Sequence, residues 1–424
     1  MKKIYFLIKK LYPIARSITG NGNRITLKAV QKIIPLEIKE VKSGTKVFDW
    51  EVPLEWNIND AYIKDKNGKK IADFKKSNLS IVNYSVPVNK KIDLRQLKEH
   101  LYTIPNHPDW IPYKTAYYDK TWGFCLTYKD YQKLTDDYYR VFIDSSLKNG
   151  SLTYGELYLA GKLKDEIIIS AHICHPSLCN DNLSGVSVAV YLAKYIQSFK
   201  NRKFSYRFLF VPGTIGSITW LSLNKNKIKN IAFGFVLTGV GDRGAITYKR
   251  SKSGNSEIDF VFEHILSLSK IPHKITEFYP YGYDERQYSS PGFNLAIGTL
   301  MRSKHGTYPQ YHTSADDLNF VTREALADSY KICREAIKLL ETTPFYINRF
   351  PYGEPQLGKR GIYKAMNDVG VKTKELQIAL LWVLNYSDGF NSLLSIAKKS
   401  KLSYGIITKA ALLLQKKGVI ALKN

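Results

Sequence analysis

Two histidine-bearing segments and one aspartate are of types that could do chemistry together. Residues 171–176 read Ala-His-Ile-Cys-His-Pro, residues 180–185 read Asn-Asp-Asn-Leu-Ser-Gly, and residues 310–317 read Gln-Tyr-His-Thr-Ser-Ala-Asp-Asp. Imidazole nitrogens and a carboxylate are the donors zinc takes in hydrolytic sites, where three protein ligands leave a fourth position open. His172, Asp181 and His312 are the candidate ligands, for one zinc ion. His175 is an alternative first ligand, since His172-x-x-His175 can turn both rings toward one ion. Each residue alone has a plainer reading. Asp181 or Asn182 can cap a helix, a bond worth about 1 kcal/mol, and His172 can be a satisfied buried histidine. A strand-end histidine facing the same crevice as a helix-start carboxylate favours a metal.

The elements that must position these residues follow from patterning. The run Ile167-Ile168-Ile169 is short, apolar and β-branched, as a central buried strand should be, and it leads directly to His172. Ligands of open α/β sheets bind outside the carboxyl ends of the strands, where His172 falls. Helical patterns at 183–199, 215–223, 256–269 and 324–340 alternate with strand patterns at 206–211, 231–237 and 293–300. That alternation predicts an α/β domain with a mostly parallel sheet and helices on both faces. Two amino-terminal helices, 2–20 and 24–34, belong to it, so residues 1–44 and 161–350 form one discontinuous domain. Residues 45–160 are strand-like and form an inserted β-rich domain, with a helix at 94–101, a strand at 122–128 and Asn-Gly hairpin signals at 67–68 and 149–150. Pro351, Gly353, Pro355 and Gly358 mark a linker. Helices at 374–385, 392–400 and 404–417 and a strand at 419–422 then predict a winged-helix module over 351–424.

Five segments in order carry a resemblance: LYPIARSITGNGNR, CHPSLCNDNLSG, PGTIGSITWL, YGYDERQYSSPG and QYHTSADD. Together they resemble a bacterial aminopeptidase-like family of unknown function, labelled as polysaccharide-biosynthesis proteins with an aminopeptidase-like domain and related to co-catalytic zinc aminopeptidases. The resemblance implies His172, Asp181 and His312 as metal ligands and an inserted domain similar to a rearranged protease-associated domain. The departures are informative. Where those aminopeptidases carry a Glu-Glu pair, one a general base and one a ligand, this chain has Pro212-Gly213-Thr214. Their further aspartate ligand matches Thr238, and the aspartate two residues after the first histidine matches Cys174. The second metal therefore lacks its ligands. A base is still required near the metal, and Glu285 is the candidate, with Asp284, His305 and His175 as substrate contacts. The plainer reading of 284–286 is an exposed loop with a Glu285–Arg286 charge pair. Arg16 and Ser17 match the family's amino-terminal segment without a role that physics assigns.

Bulk properties narrow the remaining classes. No apolar run approaches the ~20 residues that cross a bilayer, and the basic opening MKKIYFLIKK lacks a signal-type apolar stretch. A cytoplasmic protein without a membrane partner is expected. Four cysteines do not make a disulfide scaffold, and Cys174 and Cys179 lack the second pair of a structural zinc site. The formal charge of +26 is mostly lysine spread along the chain, so it does not by itself imply nucleic acid. Residues 354–424 carry 12 Lys/Arg against 4 Asp/Glu. However, the third helix offers only lysines and Gln415, with no Arg or Asn for base edges. Nucleic acid is thus an unfavoured partner, and a protein contact or homo-oligomer through the winged helix is preferred. The leading expectation is a zinc-dependent exopeptidase or related amidohydrolase acting on a peptide or other amide. The alternatives are a non-catalytic metal- or peptide-binding protein and a DNA-binding regulator.

Overall fold

The isoleucine run forms the middle of the strand Glu166–His172, and all seven of its residues are buried. The structure, a computed structural model, describes residues 2–362 and 373–423. A strand buried on both faces needs neighbours on both edges. It pairs in parallel with Ser205–Val211 on one side and Ile231–Leu237 on the other. Ile297–Met301 continues the parallel set beyond Ile231–Leu237. Among the described residues, eight strands make up this sheet, and three of the four pairings toward its margins are antiparallel. Ser151–Leu159 and Glu37–Lys42 flank one side; Ile246–Lys249 and His273–Thr276 flank the other. The mostly parallel α/β fold expected from the alternation is the fold observed.

Helices close the faces. Lys2–Leu11 buries Ile4, Leu7, Ile8 and Leu11, a stripe at three- and four-residue spacing, against the helix Gly185–Gln197. The first helix stops at Leu11 rather than continuing to residue 20. Pro13 lies two residues on, and proline lacks the N–H that a continuing helix would need. The segment Arg16–Gly20 is instead irregular and buried.

The inserted region builds its own four-stranded antiparallel sheet, in the order Lys70–Asp73, Glu55–Lys64, Tyr138–Lys148, Val88–Asp93. Asn67-Gly68 turns the first hairpin as expected, with Gly68 at φ 81°. Asn149-Gly150 does not make a hairpin. The strands on either side of it enter different sheets, because Ser151–Leu159 is buried at eight of nine positions and needs two partners in the large sheet. The expected strand at 122–128 is reduced to Phe124–Cys125, paired in parallel with Leu101–Tyr102.

Two compact units are present, residues 1–252 with 271–331, and residues 253–270 with 332–424. The second contains helices Thr373–Tyr386, Leu393–Ser400 and Tyr404–Lys416. Its three-stranded sheet runs Asp388–Ser392, Phe345–Asn348, Ile420–Leu422. Phe345–Asn348, grouped by sequence with the α/β domain, pairs here instead. Its core gathers Leu376, Leu380, Ile407 and Leu414. The helix Glu257–Leu268, from the middle of the chain, also belongs to this unit, and the Ser395 hydroxyl donates to the Glu257 carboxylate. Among the described residues no helix is long and apolar enough to cross a membrane.

Candidate metal centre

His172 ends its strand, and the chain turns over its carboxyl edge through Cys174 and His175. Arg16, from the amino-terminal segment, fixes this turn. Its Nε donates to the His175 carbonyl at 2.9 Å and its Nη1 to the Leu11 carbonyl at 2.6 Å. Burial lowers this guanidinium to about 10; its two backbone contacts tie the turn to the first helix. The sequence motif around Arg16 carried this role without disclosing it.

The turn Cys179–Ser184 brings in Asp181, and Asp316 pins it. The two Asp316 oxygens accept the Asn180 N–H at 2.6 Å and the Asp181 N–H at 2.9 Å. Asp316 lies four residues after His312, so one carboxylate fixes the aspartate turn to the histidine loop. His312 itself sits at φ 55°, an uncommon region for a side-chain-bearing residue. The inserted region stabilises it there. Tyr113 N–H donates to the His312 carbonyl at 2.7 Å, and Ile111 exchanges bonds with Ser314 through its carbonyl and N–H.

The result is a cluster around Asp181. His172 Nε2 lies 2.9 Å from Asp181 Oδ1, and His312 Nε2 lies 3.1 Å from Oδ2. His175 Nδ1 lies 3.1 Å from His172 Nε2 and 3.8 Å from Asp181 Oδ1. His172, His175 and Asp181 are all buried. Neighbouring donors in a tetrahedral zinc shell stand about 3.3 Å apart for bonds of about 2.0 Å. The donor types and spacings of His172, His175 and Asp181 therefore fit one divalent cation, and His312 joins the cluster through the second Asp181 oxygen. Burial, the largest cause, holds the His175 imidazole well below its ordinary range against the pull of the Asp181 carboxylate. Burial alone would raise the Asp181 carboxyl; the imidazoles of His175, His172 and His312 outweigh it and keep the group ionised.

One feature works against ligation by His172. A histidine bound to metal through Nε2 carries its proton on Nδ1 and gives it to an acceptor. Here His172 Nδ1 faces the Asn182 amide nitrogen at 3.3 Å. That amide is oriented by its own bonds: Oδ1 accepts the Gly185 and Gly239 N–H groups, and Nδ2 donates to the Leu237 carbonyl. The acceptor that His172 Nδ1–H would require is absent from this contact, and Cys174 donates elsewhere, to the Gly213 carbonyl.

The space of the missing carboxylate pair is filled by Tyr283. Its ring stacks on His172 with centroids 3.6 Å apart. A Cβ built on Gly213 would lie 1.9 Å from the same ring. The Tyr283 hydroxyl lies 3.4 Å from Cys174 Sγ and 3.5 Å from His175 Nε2. Sequence reasoning noted the segment but not this residue; Gly213, at the expected place of a glutamate, was the signal for it.

The other residues expected to act are occupied differently. Glu285 is buried in an ion pair with Lys249 at 2.5 Å, and its oxygens also accept the Tyr283 N–H. It braces the loop that carries Tyr283 and has no free oxygen to serve as a base. Asp284 is fully buried, with Oδ1 accepting from the Ser217 hydroxyl and Oδ2 without a partner among the described residues, so it does not reach substrate. His305 bonds Thr238 Oγ1 at 2.9 Å, at the position of the absent aspartate ligand. His175 and His312 do reach a cleft of about 560 Å³, whose other walls include Tyr113, Tyr117 and Tyr283.

This sheet and this cluster define an aminopeptidase-like α/β protein. A zinc aminopeptidase from Bacillus subtilis superposes with a TM-score of 0.56 at 13% identity, over 80% of this chain and 94% of that one, a likeness of fold alone. Residues 5–343 match the family described as a domain of unknown function, DUF4910, and residues 344–422 match a winged helix-turn-helix family. The chain belongs to the first of these families. A Clostridium acetobutylicum protein, provisionally named for polysaccharide biosynthesis with an aminopeptidase-like domain, is 53% identical over 96% of this chain and 94% of its own length. A crystal structure from the same organism, of a protein described as a candidate peptidase, has a TM-score of 0.84 at 51% identity, over 100% of this chain and 96% of that one.

Proposed function

We propose that the chain is a one-metal hydrolase of the aminopeptidase-like kind, cleaving an amide bond with zinc held by His172, Asp181 and His312. The observation that carries the reading is the Asp181 carboxylate, which turns one oxygen to His172 and the other to His312, a residue that lines the cleft. Zinc, when bound, supplies a Lewis acid for the amide carbonyl and lowers the pKa of water. The remaining work falls to the chain. Tyr283 holds the His172 ring by stacking and keeps its own proton, because burial pushes its phenol well above the ordinary range. His175, at the cleft wall beside the cluster, holds the attacking water in place of the missing glutamate.

A second reading rests on the same residue. If His175 Nδ1 is itself a fourth ligand, as its 3.1 Å approach to His172 Nε2 allows, the site is closed and the protein binds metal without turnover. Metal content and hydrolysis of a panel of amino-acid and N-acyl amides separate the two. One zinc per chain is expected in wild type, lost in Asp181→Ala and His312→Ala. In His175→Ala, zinc should be retained while turnover falls by about 100-fold. Zinc lost from His175→Ala, together with no turnover in wild type, selects the closed site. Unchanged zinc in Asp181→Ala and His312→Ala would remove both.

A further inference from the structure

Trp50 is shared by two adjoining grooves. One is the cleft of about 560 Å³ that ends at His175 and His312; the other, about 760 Å³, runs past Phe48 to Phe293. Ile218 lines both as well, so the two form one track leading away from the metal cluster. Trp50 stands on a short hairpin, 47% exposed, with its ring 5.7 Å from that of Tyr118, itself 52% exposed. Phe48 and Phe293 meet edge-on further along. Broad exposed rings lining a groove mark a binding surface. They offer flat faces suited to the C–H face of a pyranose, while the sugar's hydroxyls remain in water.

Charge narrows the ligand. Lys114 and Arg286 line the cleft near the metal cluster, and Lys225 and Lys229 line the second groove. None of the four has an ion-pair partner among the described residues. Asp49 is the one acidic residue among those lining either groove, and none lines the groove at the metal cluster. A peptide presenting a free ammonium there would meet cations with no carboxylate to receive it.

We propose that the track binds an acidic oligosaccharide bearing N-acyl groups, with one acyl amide placed at the metal cluster. The bond cut rests on the hydrolase reading above; the binding does not. Hydrolysis would break the acyl carbon–nitrogen bond, with water the co-reactant, leaving a carboxylate and an ammonium on the sugar.

The test is calorimetric titration of the full chain, zinc-loaded and after chelation, with three probes. These are a hyaluronan hexasaccharide (alternating N-acetylglucosamine and glucuronate), the neutral chitin hexasaccharide, and a blocked hexaglutamate peptide. The acidic glycan should bind at least about tenfold more tightly than either other probe in both preparations. Trp50→Ala and Lys225→Gln should each weaken it about five- to tenfold without moving the melting temperature. Equal affinity for the chitin or glutamate hexamer, or an unaltered Trp50→Ala, overturns the proposal. Glycan binding without hydrolysis of any amide leaves this inference standing and removes the hydrolase; hydrolysis without glycan binding does the reverse.

Discussion

Gly213 and Tyr283 are two halves of one substitution, since the ring occupies the space a side chain at 213 would need. Gly213→Ala should therefore cost about 1–3 kcal/mol by overpacking. Most of that cost should vanish in a Tyr283→Ala background, as read by a denaturant double-mutant cycle. The Asn182 amide is a second local decision. Asn182→Asp would give His172 Nδ1–H an acceptor, and zinc affinity by competition with a chelator should rise by about tenfold or more; a fall would show that His172 does not ligate through Nε2. Asp284 carries a pH signature. Burial, the largest cause, pushes its carboxyl up to about 6. The folded state holds this proton more tightly than the unfolded chain does. Its stabilising contribution is thus complete below about pH 4 and is lost as pH rises through about 6, at most about 3 kcal/mol. Asp284→Asn should flatten that part of the profile of melting temperature against pH.

At the scale of elements, the inserted region helps to build the site. Its segment at 111–113 bonds the His312 loop through the backbone, and the Tyr113 ring meets both His175 and His312 edge-on at 5.2 Å. Tyr113→Ala should lower metal affinity about 10- to 100-fold while leaving all the proposed ligands in the chain, measured by metal competition. The same elements show what sequence could disclose. Ile167–Ile169 was legible as a buried strand because its residues are apolar, β-branched and contiguous. That His172, Asp181 and His312 meet was legible from the strand end and the motif segments that carry them. The strand Ile246–Lys249 was not, being four residues long and ending in a buried lysine whose partners, Glu285 and the Tyr279 and Tyr281 carbonyls, lie 30 to 36 positions away. Asn149-Gly150 shows a related limit. Turn chemistry announces a change of direction but not which sheet receives the next strand. Glu285 looked free to act because its partner is distant in sequence.

For the whole molecule, cation binding should appear as stability. A metal bound only by the folded chain raises unfolding free energy by about 4 kcal/mol at a thousandfold excess over Kd, so chelation should lower the melting temperature measurably and zinc should restore it. The carboxy-terminal unit has a different expected partner. Tyr404 and Leu412 are exposed on the helix Tyr404–Lys416, and the basic residues on that helix are Lys409 and Lys416. Binding of the full chain to duplex DNA should be weak, indifferent to sequence and abolished between 50 and 200 mM salt; sequence-selective binding would instead favour a regulator. The helix Glu257–Leu268 sits in this unit although it lies between two strands of the other. The polypeptide therefore passes between the two units three times. A winged helix appended by one linker is a cassette that recombination can exchange in a single cut. Here the unit also takes in the helix between Ile246–Lys249 and His273–Thr276, so a cut at residue 343 alone would strip that helix of its packing against Leu393–Ser400.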